Sequence, residues 1–450
     1  MSNRLLNAFS YSRPEANPQE LTTRCRLPSG IHAWLQELLS NLPLELHVNF
    51  WDQDFCIFGG TDQEKAGSQL FLQVHHPGVL RSLILSQDPL ILVDAYLHEL
   101  LDIEGDLEAL IPLVQAYPHV EMQPLRSLKL WVEAHRLPPL PVDSTKLTSA
   151  ETRQEMHSPD QDKASIQHHY DLGNSFYRQW LDPLMVYSCA HFEHSEMSLE
   201  TAQINKIDLI CRKLQLSPGQ TLLDIGCGWG ALLRWAVKHY GVKGYGITLS
   251  QEQWLYNQHR INQEQLSDQL TVELRDYRDL PKEPTFDKIV SVGMVEHVGL
   301  INYPIYFQSV LQVLKPGGLF LNHGIASSEP CNGSSIGERF INRYIFPNGE
   351  LAQLSTMLSV AEQTGWEIVD VDAWRPHYAI TLNCWADNFR RVFDRMVSLI
   401  GERKARLWQL YLRGSALAFE NDYERIYQTL LRRKSDKVWN LPLTRTGWLC

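Results

Sequence analysis

The segment Thr221–Gly230, TLLDIGCGWG, constrains this chain more than any other stretch. Leu222, Leu223 and Ile225 form a short apolar run that reads as a buried strand, followed by Gly226, Gly228 and Gly230 and then the helical run ALLRWAVKHY. A strand that turns through glycines into a helix brings bare backbone and free helix N–H groups to one point, where a ligand can approach closely. A dinucleotide fingerprint needs G-x-G-x-x-G with an acidic residue roughly 20 positions on, and a P-loop needs a terminal Gly-Lys-Ser/Thr. Neither is present. The expected ligand is a nucleoside cofactor, and a glycine loop standing alone would also read as a merely structural turn.

The segments that follow alternate as a doubly wound sheet requires. VKGYGITLS (242–250) reads as a second strand, a polar helix starts near Gln251, and LTVELRDYRDL (270–280), FDKIVSVGMVEHVG (286–299) and VLQVLKPGGLFLNHGIA (310–326) continue the pattern. LKPGG reads as the Pro/Gly turn that introduces a strand. In such sheets the ligand lies at the carboxyl ends of the strands, so functional side chains are sought there.

The D-x-G-x-G-x-G spacing that begins at Asp224 resembles the first motif of Rossmann-type S-adenosylmethionine methyltransferases, with the carboxylate steadying the loop and the cofactor's amino-acid end. One strand end departs from the commonest form of that pattern. In place of an acidic residue the second strand ends in Thr248, Leu249, Ser250 and Gln251, so neutral hydroxyls and amides, with Gln253, must bond the ribose.

With that departure, the chain resembles the cyclopropane-fatty-acyl-phospholipid synthases and their mycolic acid relatives. The matching segments are HHYDLGNSFY (168–177), LMVYSCAHFE (184–193), LLDIGCGWG (222–230), GITLSQEQ (246–253), SVGMVEHVG (291–299), LNHGIAS (321–327), FINRYIFPNGE (340–350), HYAITLNCW (377–385) and LPLTR (441–445), in the family's order. The resemblance covers about 166–445 and implies an α/β fold: a Rossmann-like class I S-adenosylmethionine methyltransferase domain, with a smaller N-terminal α+β domain before it. It places Tyr187, Ser188, Asp224, Gly226, Cys227, Gly228, Gly230, Thr248, Leu249, Ser250, Gln253, Asp276 and Tyr277 where family members hold the cofactor. It places Cys189, Glu296, His323, Ile325 and Tyr378 where they hold a bicarbonate ion, Ile325 acting through its backbone, with Tyr344 and Phe346 as aromatic neighbours. Taken singly, Glu296 reads as a helix-start carboxylate, His323 as a bonded core histidine, Tyr378 as a core aromatic and Cys189 as an inert buried thiol. Their joint occurrence in family order is what reverses those readings.

The implied chemistry explains the set. An isolated cis double bond is a poor nucleophile, so catalysis begins by positioning it on the sulfonium methyl. Methyl transfer leaves a carbocation, and ring closure needs removal of one proton from the new methyl where no water can trap the cation. Bicarbonate is the base the resemblance implies, its O–H fixed by Glu296 and its other oxygens met by His323 and Tyr378. Many relatives carry a cysteine where this chain has Ser415, and the cation mechanism asks no nucleophile of that position.

The eight cysteines form no C-x-x-C pair and no Cys/His metal spacing, so neither structural zinc nor a disulfide is expected. The N-terminus lacks the apolar core of a secretory signal and no run approaches ~18 apolar residues. The expected location is therefore cytoplasmic and, through the family's phospholipid substrate, peripheral on the inner membrane face. A net charge of −11 works against nucleic acid as a partner and against diffuse attraction to an anionic bilayer, leaving 390–408 and 430–437 as candidate basic faces. A proline-stiffened polar stretch, 136–165, separates an N-terminal domain (1–135) from the catalytic one (166–450).

In the first domain LELHVNFWDQDFCIFGG alternates like strands, and the stretch from Pro77 to Tyr117 reads as strand-poor amphipathic helices. DAYLHELLDIEGDLEAL (94–110) loosely resembles the N-terminal domain of longer bacterial synthases, implying a lipid-docking module or a folding or dimerisation accessory. Late aromatic-rich helices, about Thr381 to Arg433, are expected to cover an acyl tunnel, and a homodimer is the family's expectation. The competing functions are a relative that leaves a methyl or methylene branch, a methyltransferase for a small acceptor, and a non-catalytic lipid-binding protein.

Overall fold

The structure, a computed structural model, describes residues 26–39, 45–52, 54–59, 69–105, 124–141, 172–330, 333, 335–347 and 349–446. The chain divides into two units, Met1–Ala150 and Glu151–Cys450.

In the first unit the alternating segments form strands β1 (Glu45–Asn49) and β2 (Phe55–Gly59), joined by β3 (Gln69–Val74) and β4 (Leu101–Gly105) in the order β2-β1-β3-β4. Leu46, Val48, Cys56, Phe58 and Leu70 repeat at period two, and they meet Ile31, Trp34, Leu35 and Leu38 at helical spacing on Ser29–Leu39. Strand β4 corrects the helical expectation for this region. Leu101 and Ile103 alternate with polar neighbours, and the segment pairs antiparallel with β3. The part of the resembling segment from 106 to 110 lies outside the described residues. Cys56 is disulfide-bonded, against the expectation of no bridges. A single bridge formed by three-dimensional proximity leaves no spacing signal in a sequence.

The second unit is built on seven strands: β5 (Thr221–Ile225), β6 (Lys243–Thr248), β7 (Leu270–Leu274), β8 (Phe286–Val292), β9 (Leu314–Ser327), β10 (Trp366–Ala373) and β11 (Glu424–Arg433). Their order is β10-β11-β9-β8-β5-β6-β7, parallel from β9 to β7, with β11 antiparallel to both β9 and β10. Helices cover both faces, which is why the central strands are apolar throughout rather than alternating. Leu222 packs into one core with Leu233, Val237 and Ile261, while Leu223 and Ile225 enter the opposite core with Ile289, Tyr306 and Phe307. The chain runs outward through β6 and β7 and returns to β8 on the other side of β5, so a crevice opens between β5 and β8 at their carboxyl ends.

Two expectations change here. LKPGG does not precede a strand but lies within β9, where pairing jumps from Phe286↔Leu314 to Lys288↔Leu319 and Lys315–Gly318 bulge out. The late helices end at Glu420, and 424–433 is strand β11, held by ladders on both sides rather than by helical propensity. Among the described residues no helix is long and apolar enough to cross a membrane.

Candidate functional site

The glycine turn is fastened by the chain's own hydrogen bonds. Gly226 and Cys227 both donate their N–H to Ile247 O, each at 3.0 Å, which ties the loop to β6. Gly230 opens the helix Ala231–Tyr240 in a left-handed conformation (φ +73°), and a Cβ there would lie 1.9 Å from Asn257 Oδ1. Asn257 in turn donates to Gly228 O at 2.8 Å and Gln253 O at 2.9 Å, bracing the loop against the next helix. Trp229 Nε1 donates to Asn174 Oδ1 at 2.6 Å, anchoring the loop from the other side.

A cavity opens on this turn at the crevice between β5 and β8. Tyr187 and Ser188 form one wall, Asp224, Gly226, Cys227, Gly228 and Gly230 the floor, and Thr248, Leu249 and Gln253 the end of β6, with Tyr277 also lining it. Thr248 Oγ1 donates to Gln253 Oε1 at 2.8 Å, which commits that oxygen and leaves the amide NH2 as Gln253's donor. Ser250 and Asp276 are not part of the wall, and both are already engaged. Ser250 is fully buried and its Oγ caps the helix Gln251–Gln263 by accepting from Gln253 N. Asp276 accepts from Arg278 N and is clamped on both oxygens by the Arg278 guanidinium at 2.7 and 2.8 Å.

Two buried ionisable side chains, Asp224 and Lys206, line the cavity. Asp224 is almost fully buried, and burial pushes its carboxyl up to about 7 although Lys206 pulls the other way. Lys206 is 2% exposed, donates to Ser188 Oγ at 2.7 Å, and is brought down to about 8 by the same desolvation. No carboxylate lies within ion-pair distance of it among the described residues. Sequence reasoning missed Lys206, although a signal existed. Ala202, Gln203, Lys206, Ile210 and Lys213 recur at helical spacing on Leu199–Lys213, so two lysines sit on its buried face.

The second group gathers where β8 and β9 end. Glu296 lies in the short turn Val295–His297 just after β8, its Oε1 accepting from Ile325 N at 2.7 Å. Ile325's N–H is thus bonded to Glu296. Glu296 Oε2 is sealed from solvent without a partner, and burial pushes the carboxyl up to about 7. His323 is fully buried on β9, two residues from Ile325, with its Nε2 likewise unpartnered and its ring held neutral by desolvation and by the charges of Lys206 and Lys213. Cys189 is fully buried, its Sγ donating to Ala190 O at 3.3 Å, and burial pushes the thiol far up, so it is no nucleophile. A buried carboxyl that sequence reasoning also missed, Glu424 on β11, is pushed up to about 7 by burial and further by Glu296.

Aromatic rings close the space around both groups. Tyr187 packs on Trp180 and Trp385 with centroids at 5.4 and 5.1 Å, and Tyr378 packs on Phe419 and Trp385 at 4.6 and 6.1 Å. Phe346 lies against His297, a cavity residue, at 5.2 Å, whereas Tyr344 stacks on Phe340 at 5.4 Å. Ser415 hydrogen-bonds Tyr411.

The chain is similar to proteins already known. Residues 157–429 match the family model described as mycolic acid cyclopropane synthetase. A probable fatty acid methyltransferase of Pseudomonas putida is 37% identical over 420 residues, 92% of this chain and 98% of that one. The cyclopropane-fatty-acyl-phospholipid synthase of Escherichia coli K12 is 40% identical over 265 residues, 59% of this chain and 66% of that one. Among solved structures, the mycolic acid cyclopropane synthase CmaA1 complexed with SAH and CTAB superposes with a TM-score of 0.57 at 34% identity, over 60% of this chain and 98% of that one. The chain belongs to the mycolic acid cyclopropane synthetase family of S-adenosylmethionine-dependent methyltransferases.

Proposed function

We propose that the protein transfers the methylene unit of S-adenosylmethionine to a cis double bond of phospholipid acyl chains and closes a cyclopropane ring. The observation that carries this is the pair of orphaned atoms at the ends of β8 and β9: an acceptor, Glu296 Oε2, and a nitrogen, His323 Nε2, both buried and unpartnered. Bicarbonate has one O–H to give to Glu296 and anionic oxygens that accept from His323, so it can partner both atoms at once. When bound, it supplies the base for the one proton that must leave the transferred methyl.

S-adenosylmethionine supplies an activated methyl group. The chain's own part is to hold the donor and keep the site dry. Asp224 and Lys206 both line the cavity, a carboxyl and an amine to receive an amino-acid end that carries both an ammonium and a carboxylate, and Ser188 accepts from Lys206. Gln253 offers its NH2 to a ribose hydroxyl, since its oxygen is held by Thr248. The ring cluster of Tyr187, Trp180, Trp385 and Tyr378 excludes water from the cation and turns negative ring faces toward it. The setting is cytoplasmic, with the enzyme peripheral on the inner membrane face and a homodimer as its assembly.

The Pseudomonas putida relative's name favours a second reading, a product that ends as a methyl branch on a fatty acid. Mass spectrometry separates them. Vesicles of cis-monounsaturated phospholipid are incubated with the protein and methyl-labelled S-adenosylmethionine. A gain of one CH2 that resists hydrogenation, lost in Glu296→Ala, supports ring closure. A branched or methylene product sinks it, and no labelled lipid sends the search to small acceptors.

A further inference from the structure

We infer that Lys213 and Gln428, outside the cofactor cavity, are positioning residues that lock His323 with its proton on Nε2. The inference deepens the reading of Glu296 and His323 as an anion site and rests on that reading only for its catalytic consequence.

A chain of hydrogen bonds leads from Lys213 to His323. Lys213 Nζ lies 2.6 Å from Asp372 Oδ2 and 2.8 Å from Gln428 Oε1, and the Gln428 amide nitrogen lies 3.0 Å from His323 Nδ1. A glutamine amide can be turned either way, but an ammonium only donates. The atom facing Lys213 must therefore be the amide oxygen, and the atom facing His323 must be the NH2. An NH2 only donates, so Nδ1 must carry no proton. Burial keeps the imidazole neutral, and a neutral ring with a bare Nδ1 carries its hydrogen on Nε2. That is the nitrogen without a protein partner.

The sheet makes the chain rigid. His323 on β9 stands directly opposite Gln428 on β11, and Gln428 directly opposite Asp372 on β10, so three of the four residues form one row across three strands. Lys213 reaches the row from the end of the helix Leu199–Lys213, is 3% exposed, and packs over the Trp374 ring, which also meets the His323 ring at its edge. Gln428 is 1% exposed, so water does not replace a lost partner cheaply. Asp372 balances the Lys213 charge, leaving the ammonium's role here as one of direction. The result is an N–H on the ring nitrogen that has no protein partner, whereas the opposite tautomer would present a lone pair there and repel an anion.

The test reads the ring directly. Nitrogen-15 NMR of ring-labelled full-length protein, with the resonance assigned by its loss in His323→Gln, is expected to show a protonated Nε2 and a bare, hydrogen-bonded Nδ1. Lys213→Met frees the amide to turn, and a protonated Nδ1 population is expected to appear. In Gln428→Leu the Nδ1 signal moves to that of a nitrogen without a donor. The apparent KM for bicarbonate is expected to rise about tenfold in both variants, while SAH affinity by calorimetry stays within about twofold, a split that general misfolding does not produce. A protonated Nδ1 in the wild type, or an unchanged tautomer in Lys213→Met, overturns the inference whatever the activity does. The tautomer as inferred, with no dependence of activity on bicarbonate, upholds the lock and removes the anion reading instead.

Discussion

Replacing Glu296 by Gln is expected to abolish ring closure and at the same time stabilise the protein, by an amount that depends on pH. The carboxyl ionises at about 7 in the folded chain, against an ordinary value of 4.5, because its Oε2 is buried with no partner. Between those two pH values the folded state holds a proton that the unfolded state has released, so stability falls as pH rises through the window. The unfavourable contribution is absent below the lower value and complete above the upper one. At ~1.4 kcal/mol per tenfold, the gap amounts to about 3 kcal/mol. Gln has Glu's shape and stays neutral, keeps an oxygen for Ile325 N, and so removes the whole term. Denaturant unfolding of wild type and Glu296→Gln should therefore coincide at pH 4 and differ by about 3 kcal/mol at pH 8, with the variant the more stable and its Tm several degrees higher. Ring closure should drop by about 10²–10⁴. A variant that is no more stable than wild type at pH 8, or whose advantage does not change with pH, would refute the argument that an uncompensated carboxylate is stored there.

Lys206→Met should weaken SAH about 10- to 100-fold by calorimetry, the worth of a charge-assisted hydrogen bond, yet leave 5′-methylthioadenosine unaffected because it lacks the amino-acid end; equal losses on both would count against the assignment. Gly230→Ala should cost roughly 3 kcal/mol in stability, from a left-handed alanine and the displaced Asn257 bonds, and weaken SAH at least tenfold; a variant with wild-type Tm would show that the loop yields freely. Cys189→Ala should retain activity within about tenfold, since the thiol is buried and un-ionised, whereas complete loss with an intact fold would restore it as a reacting group.

The succession of strands from β5 to β9 along the chain and the glycine turn after β5 were legible because both are written locally, in the apolar run of β5, the three glycines and the neutral residues at the end of β6. Thr248 and Gln253 did meet at that strand end, but Ser250 was claimed by its helix and Asp276 by Arg278, competitions that spacing does not reveal. The segment 424–433 looks helical until the ladders to β9 and β10 are known, since tertiary pairing outweighs propensity. Lys206 was visible only as a polar residue on an apolar face, and the committed N–H of Ile325 was not visible at all, because it depends on Glu296 arriving from 29 residues away.

The row of His323, Gln428 and Asp372 across the sheet also has a consequence for how this enzyme can change. Lys213 and Gln428 are 215 positions apart in the chain, yet each limits which residue the other can be. Libraries that vary one position at a time should find these sites almost immutable, while libraries that vary them together should uncover working combinations. In descendants of this sequence the set is expected to be inherited or lost as a block, and a lone substitution within it would mark a lineage whose chemistry has already moved elsewhere.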